Sequence, residues 1–188
     1  MLGKIVPVEE VKARWAYAET RSSRFGADYD PVLPARLVES ARNGVPFDQI
    51  APEDRPLLAE ALPQARVRRF VEQVHFFGAD HFECVHWSAS ELLNCLTLPI
   101  FGLVPIFRFL AMPHRTDADG NVREDDPRHV AVSLPFDRDF VVEEPVIVVR
   151  DQGHEMLLEG YLRSILWLRN TSQPLPVWLP VTQAVPSA

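Results

Sequence analysis

Cysteine is scarce in this chain: Cys84 and Cys95 are the only two in 188 residues. Two thiols make no disulfide framework, so a reducing, cytoplasmic setting is expected. Basic residues are not in excess either. Nineteen Lys and Arg stand against 26 Asp and Glu, for a formal net charge of −7, which argues against a broad, non-specific nucleic-acid surface. Long apolar runs are missing as well. The longest uncharged stretch, Leu92 to Phe107, is interrupted by Pro99 and Pro105 and falls short of the roughly 20 residues a membrane-spanning helix needs. It reads as buried core, and no membrane partner is expected. Glu9 and Glu10 arrive before any apolar run develops, which does not fit a signal peptide. There is no internal repeat, and no G-x-S-x-G, H-E-x-x-H or G-x-x-x-x-G-K-[ST] pattern.

Proline, by contrast, is abundant, at 17 residues, so elements should be short and sharply punctuated. The first third reads as helical. Pro7 with Glu9 and Glu10 suits a helix start, and Val8, Val11 and Trp15 share a face. Leu33, Leu37 and Ala41 repeat that spacing before an Asn43-Gly44 stop. Asp54 to Leu62 reads as a short helix ended by Pro63. A separate amphipathic stripe follows in Val67, Phe70, Val71, Val74 and Phe77, closed by Gly78. Arg66, Arg68 and Arg69 fall on or near its solvated face.

From about residue 80 the character changes. His81 to Trp87 is aromatic and β-prone, and Ser88-Ala-Ser-Glu91 fits a capping box. Phe101 to Met112 reads as an edge or bulged strand around Pro105. Arg115 to Arg128 is a polar excursion, and His129 to Leu134 alternates like a strand. Pro145 to Arg150 is β-branched, the mark of a strand buried on both sides. It pairs with Glu155 to Leu158 across a turn in which Gly153 takes positive φ. Tyr161 to Arg169 is helical, and Val177 to Val181 closes the domain as a strand. The expectation is an α+β fold: a helical N-terminal subdomain over residues 1–75 and a mixed-sheet core over residues 76–188, packed as one compact unit.

Two metal patterns fail on geometry. In His81-x-x-Cys84-x-His86 the alternation of a strand puts Cys84 and His86 on the face of Phe82 and His81 on the other, so no zinc site is expected. Asp117 to Asn121 resembles a calcium loop, but register on Gly120 places Arg115 at the first ligand position, and a turn is the better reading. Cys95 reads as a small buried hydrophobe.

The segment that carries chemistry is Glu159-Gly160-Tyr161-Leu162-Arg163, where a strand meets a helix. A glycine there lets backbone approach a phosphate, and helix-start amides point at an anion. A guanidinium one turn on can grip two phosphate oxygens, and a carboxylate can hold a metal ion or accept a proton. The same residues also describe a plain structural turn with a surface arginine.

Residues Pro145 to Pro180 resemble the C-terminal half of the ParB/sulfiredoxin superfamily fold, in which a buried strand, a turn and a second strand lead to a [DE]-G-x-x-R corner, a helix and a further strand. The matching pieces are Pro145 to Val149, Met156 to Leu158, Glu159-Gly160, Arg163 and Val177 to Leu179. A looser match places the family's first strand and helix at Phe82 to Leu96, with Trp87, Ser88 and Glu91 at the junction. Members include chromosome-partition CTPases, sulfiredoxins and free-serine kinases. The resemblance implies a ParB/sulfiredoxin-like mixed-sheet core that binds a nucleotide or small phosphorylated ligand. Gly160 and Tyr161 would cradle the phosphate and Arg163 would grip it, with ATP or CTP and Mg²⁺ as cofactors. Glu159 would stand at the kinases' catalytic acid, making Mg²⁺-dependent phosphoryl transfer the reaction class and nuclease action a weaker inference. The chain departs from the pattern at Leu162, where active members carry His or Arg. It has no cysteine beside Gly160 for sulfiredoxin chemistry. The alternative is a non-catalytic interaction module or homodimer that keeps the fold, motivated by Leu162 and the uncharged run Leu92 to Phe107.

Overall fold

The computed structural model describes residues 2–70 and 76–181, and the side chains of all of these except 66–70. It is an α+β fold with a mixed six-stranded sheet of order β1-β2-β6-β4-β5-β3. The strands are β1 (Ile5–Pro7), β2 (His81–Trp87), β3 (Leu96–Thr97), β4 (Val146–Asp151), β5 (His154–Glu159) and β6 (Leu175–Pro180). The helices are α1 (Val8–Thr20), α2 (Ala35–Arg42), α3 (Arg55–Phe70), α4 (Ala89–Asn94), α5 (Ile106–Ala111), α6 (Pro127–Ser133) and α7 (Tyr161–Trp167). Two compact units divide the chain: Ile5–Phe82, and Met1–Lys4 together with Glu83–Ala188.

In the helical unit α1 packs on α3. Val11, Trp15 and Ala16 of α1 and Leu58, Ala61, Leu62 and Ala65 of α3 are buried. That burial explains why α3 runs straight through Pro63 instead of stopping before it as the sequence predicts. The proline removes one backbone hydrogen bond and crowds the preceding turn, but the apolar face on either side of it offsets the loss. Of the stripe expected beyond it, Val67, Phe70, Val71 and Val74 lie outside the described side chains, and Phe77 is 37% exposed instead of sharing a buried face. α2 behaves as its spacing predicts: Leu37 and Ala41 are buried, and Gly44 takes a left-handed φ of 76° after the last turn.

The sheet-bearing unit is organised on β4. Val146 to Val149 are all buried, as a strand covered on both faces requires. β5 lies antiparallel to β4 across the Gln152-Gly153 turn, β6 returns parallel on its other side, and β3 adds parallel to β5. One extra residue on β5 forms a bulge, since Val148 pairs with Leu157 but Ile147 with Glu159. α4 starts at the expected capping box. Ser88 Oγ accepts from the Glu91 amide at 3.3 Å, and the Glu91 carboxylate accepts from the Ser88 amide at 2.6 Å.

Three expectations are corrected here. Phe101 to Met112 is not a strand: Pro105 starts α5, where Ile106 and Phe109, one turn apart, point inward. His129 to Leu134 is not a strand either. Asp126 caps α6 and Pro127 takes its first position, a start signal that outweighs the local alternation. Finally, the uncharged run is only partly core. Leu92, Cys95, Leu98 and Ile106 are buried, but Ile100, Leu103 and Phe107 are 45%, 47% and 54% exposed.

The polar excursion holds a buried knot. Asp126 is fully buried and Arg128 nearly so. Arg128 Nε and Nη2 donate to the two Asp126 oxygens at 3.0 and 2.6 Å. Its Nη1 donates to the Phe109 and Met112 carbonyls and Nη2 to that of Pro113, all at 2.8–2.9 Å. The guanidinium also stacks 4.4 Å from the Phe109 ring centroid. Asp126 accepts further from the Arg115 and Arg128 amides, each at 2.9 Å. One ion pair thereby fixes the end of α5, the segment after it and the start of α6.

Candidate functional site

The Glu159-Gly160-Tyr161-Arg163 corner forms where expected, between β5 and α7, and its four residues are drawn into the fold. Gly160 has φ +100°, in the left-handed region. A Cβ built on it would lie 2.5 Å from Val146 Cγ1 and 2.8 Å from Val146 Cβ, so the glycine lets the corner lie against β4. The Tyr161 ring is buried against Phe101 and Phe109. Its hydroxyl donates to the Leu157 carbonyl at 2.7 Å and accepts from the Leu98 amide at 2.9 Å. Burial raises the pKa of that phenol far above its ordinary range, so it stays protonated at neutral pH. Arg163 is held at both ends of its guanidinium. Nη2 pairs with Glu159 one turn back, and Nη1 donates to the Glu144 carbonyl at 2.7 Å. Its side chain is 26% exposed and that of Glu159 18%.

His154 stands at the opposite end of β5 from Glu159, about 16 Å away along the strand at the usual rise per residue. It belongs to a second feature, which sequence reasoning did not assemble: a cleft of about 630 Å³ beside the β4–β5 turn. α4 forms one wall with Ser90, Glu91 and Asn94, and the hairpin forms the other with Arg150, His154 and Glu155. Trp87, Cys95 and Leu179 supply apolar surface. The volume lies within the usual range for small-molecule sites. Of the residues at the strand–helix junction, Trp87 and Glu91 line it and Ser88 does not. Nothing local pointed to the hairpin wall some sixty residues away.

The polar groups of this cleft are unevenly engaged. Arg150 donates from Nε and Nη2 to Glu155 Oε1, at 3.1 and 2.8 Å, and from Nη1 to the Pro180 carbonyl at 3.0 Å. Asn94 Nδ2 donates to the Ser90 carbonyl at 2.8 Å. The acceptors are less committed. Glu91 uses Oε2 in the capping box, and among the described residues no partner engages Glu91 Oε1, Glu155 Oε2 or Asn94 Oδ1. Hydrogen bonds from the Ser88 amide and hydroxyl hold Glu91 below the usual carboxylate range, so it is ionised at neutral pH.

Cys95 is not a nucleophile here. Burial, reinforced by the Glu155 charge, pushes its thiol up to about 12, and Sγ donates to the Glu155 carbonyl at 3.4 Å. The thiolate is the reactive form. Labelling with a maleimide at pH 7 is therefore expected to modify neither buried cysteine until urea unfolds the protein. Rapid modification of Cys95 in the native protein, located by mass spectrometry, would contradict this assignment.

His81 and His86 are exposed while Cys84 is buried, and the described residues hold no group of three or more His, Cys, Asp or Glu arranged for a metal ion. Asp117 to Asn121 is a turn: the Asp117 carboxylate accepts from the Asp119 and Asn121 amides, both at 2.9 Å, and Gly120 has φ 85°. None of the described helices is long and apolar enough to cross a membrane. Comparison with known proteins finds no match to this chain among family models, curated proteins or solved structures.

Proposed function

We propose that the chain is a ligand-binding module on a ParB/sulfiredoxin-like scaffold, that its site is the cleft beside the β4–β5 turn, and that the Glu-Gly-x-x-Arg corner serves as an architectural joint without phosphoryl-transfer chemistry. The scaffold reading is supported by the order of elements over residues 145–180: hairpin, left-handed glycine, helix, and a strand returning parallel to the first. One contrast carries the choice of site. At the corner, Gly160 packs on Val146, the Tyr161 hydroxyl has two partners, and Arg163 is shared between Glu159 and the Glu144 carbonyl. In the cleft, α4 and the hairpin bring polar side chains around a space of about 630 Å³.

A ligand at the corner would have to displace Glu159 from Arg163, exchanging one charge-assisted pair for another with little net gain. The partial exposure of Arg163 is what favours the rival reading, a nucleotide or phosphate at this corner. The two separate in one experiment. ATP, CTP and GTP with Mg²⁺ are expected to leave the melting temperature unchanged. In ¹⁵N-labelled protein, a set of small polar fragments is expected to move the amide signals of Ser90, Asn94, Gly153 and His154. A nucleotide-dependent rise in melting temperature that disappears in Arg163→Ala would overturn this reading and restore phosphate binding at the corner.

A further inference from the structure

We infer that the chain pairs with a second copy of itself across α7, the basic apolar segment 99–115 of each copy meeting the acidic apolar segment 132–144 of the other. Single exposed apolar side chains are ordinary on a protein surface, but clusters of them mark interaction sites. Of the fourteen large hydrophobic side chains exposed among the described residues, eight fall in these two short segments. Ile100, Leu103, Phe107 and Met112 belong to the first, and Val132, Leu134, Phe136 and Val141 to the second. Their charges are opposite. No acidic residue occurs between Glu91 and Asp117, where Arg108, His114 and Arg115 are the basic ones. Residues 132–144 hold Asp137, Asp139, Glu143 and Glu144 against Arg138 alone. In a chain where acids outnumber bases 26 to 19, the acid-free segment is the exception in sign, and the second segment is its complement in both charge and apolar character.

Their placement suits a two-fold contact. Ile106 and Phe109 of the first segment and Val142 of the second share one buried core with Tyr161 and Trp167 of α7. The segments reach that helix at opposite ends. The Phe101 ring stacks 4.7 Å from that of Tyr161, the first residue of α7. Just past the last turn, Arg169 donates to the Ala131 and Leu134 carbonyls, and Asn170 to that of Arg138. With Arg169 counted in, two bases stand against four acids there, so this end stays negative. Between the ends Leu162, Ile165 and Leu166 form one stripe of the helix, and all three are only half-buried. A two-fold axis across the middle of α7 sets it antiparallel to its copy and exchanges the ends. Each basic segment then faces an acidic one, and the same contact is made twice. A parallel arrangement would set like charge against like. None of the residues lining the cleft belongs to either segment, so this surface is separate from the proposed ligand site.

The test is sedimentation equilibrium of the full chain, up to about 1 mM, where even a weak interface is populated. A monomer–dimer equilibrium is expected, with no larger species, because a two-fold contact closes on itself. Arg108→Glu sets acid against acid and should raise the dissociation constant about tenfold or more. Asp139→Arg sets base against base, with the same expected result. The double variant restores opposite signs at both contacts and should dimerise more tightly than either single variant. Phe107→Ser, at an exposed position, removes apolar contact without changing charge and should also weaken the dimer about tenfold. It serves as the second measurement should a charge reversal unsettle the fold, which circular dichroism checks. A chain that stays monomeric at every concentration overturns the proposal. So does a dimer that none of these variants weakens, or one in which the double variant is no tighter than the single ones, since the two segments would not then meet. Growth beyond the dimer overturns the two-fold arrangement in favour of an open, head-to-tail one.

Discussion

Arg128→Ala is expected to lower the unfolding free energy by about 3–5 kcal/mol, the range for removing one partner of a buried ion pair. The loss has two sources. Asp126 is left as a fully buried carboxylate without its counter-charge, and the carbonyls of Phe109, Met112 and Pro113 lose their donors. Arg128→Lys should recover little, because one ammonium cannot reproduce a fork that reaches a carboxylate and three carbonyls at once. Asp126→Asn should cost a similar amount by leaving the cation uncompensated. Urea unfolding followed by tryptophan fluorescence measures all three. A loss below 1 kcal/mol for Arg128→Ala would mean that solvent reaches the knot.

The same pair sets a pH dependence. Burial by itself would raise the Asp126 pKa. Hydrogen bonds from the Arg128 guanidinium and from the Arg115 and Arg128 amides outweigh it, and the folded value lies well below the usual carboxylate range. The unfolded chain therefore takes up this proton first as the pH falls. The contribution of Asp126 is fully present above its unfolded value of about 4 and is lost progressively below it. Between pH 7 and pH 3 the parent should lose stability that Asp126→Asn, already without the charge, does not lose. Equal losses in both would assign acid sensitivity to other carboxylates.

Gly160→Ala is the second large effect, at about 2–5 kcal/mol. The left-handed conformation costs a residue with a Cβ about 1–2 kcal/mol, and overpacking adds about 1–3 kcal/mol, since the new atom would sit 2.5 Å from Val146 Cγ1. The two terms can be separated. Val146→Ala removes the nearer obstacle but not the backbone strain, so the double variant should regain part of the loss relative to the sum of the single ones. Strict additivity would place the cost on the left-handed backbone and on the Val146 Cβ, 2.8 Å away, which alanine keeps. This outcome bears on function: a glycine needed for packing against β4 requires no phosphate to explain it.

The hairpin, α7 and β6 were legible because each local signal agreed with its neighbours. Four consecutive β-branched or apolar residues follow Pro145, a glycine sits in the turn, another stands between strand and helix, and a proline-flanked apolar strand follows. α4 was legible from Ser88 and Glu91. α6 is hidden because His129 to Leu134 alternates in hydrophobicity, and the Asp126-Pro127 helix start lies just outside that window. α5 is hidden because proline suits a strand edge as well as a helix start, and here Pro105 caps a helix. The knot was invisible for another reason: the acceptors of Arg128 are main-chain carbonyls of residues 109, 112 and 113, and carbonyls have no sequence signature. The cleft was hidden for a related reason. Its walls come from α4 and from a hairpin far along the chain, and the pairing of β3 with β5 brings them together.

That outermost pairing has one more consequence. β3 is two residues long, and its far side is occupied by the segment leading into α5. The Thr97 amide donates to the Val104 carbonyl at 2.8 Å, the Ile106 amide to the Cys95 carbonyl at 2.9 Å, and Leu96 bridges Pro105. A proline at that bridge has no amide to offer a further strand. This rim of the sheet is thereby closed to templated addition of another chain, the route by which open edges seed fibrils. Any self-association through the exposed Ile100, Leu103 and Phe107 nearby in sequence would have to proceed by side-chain contact.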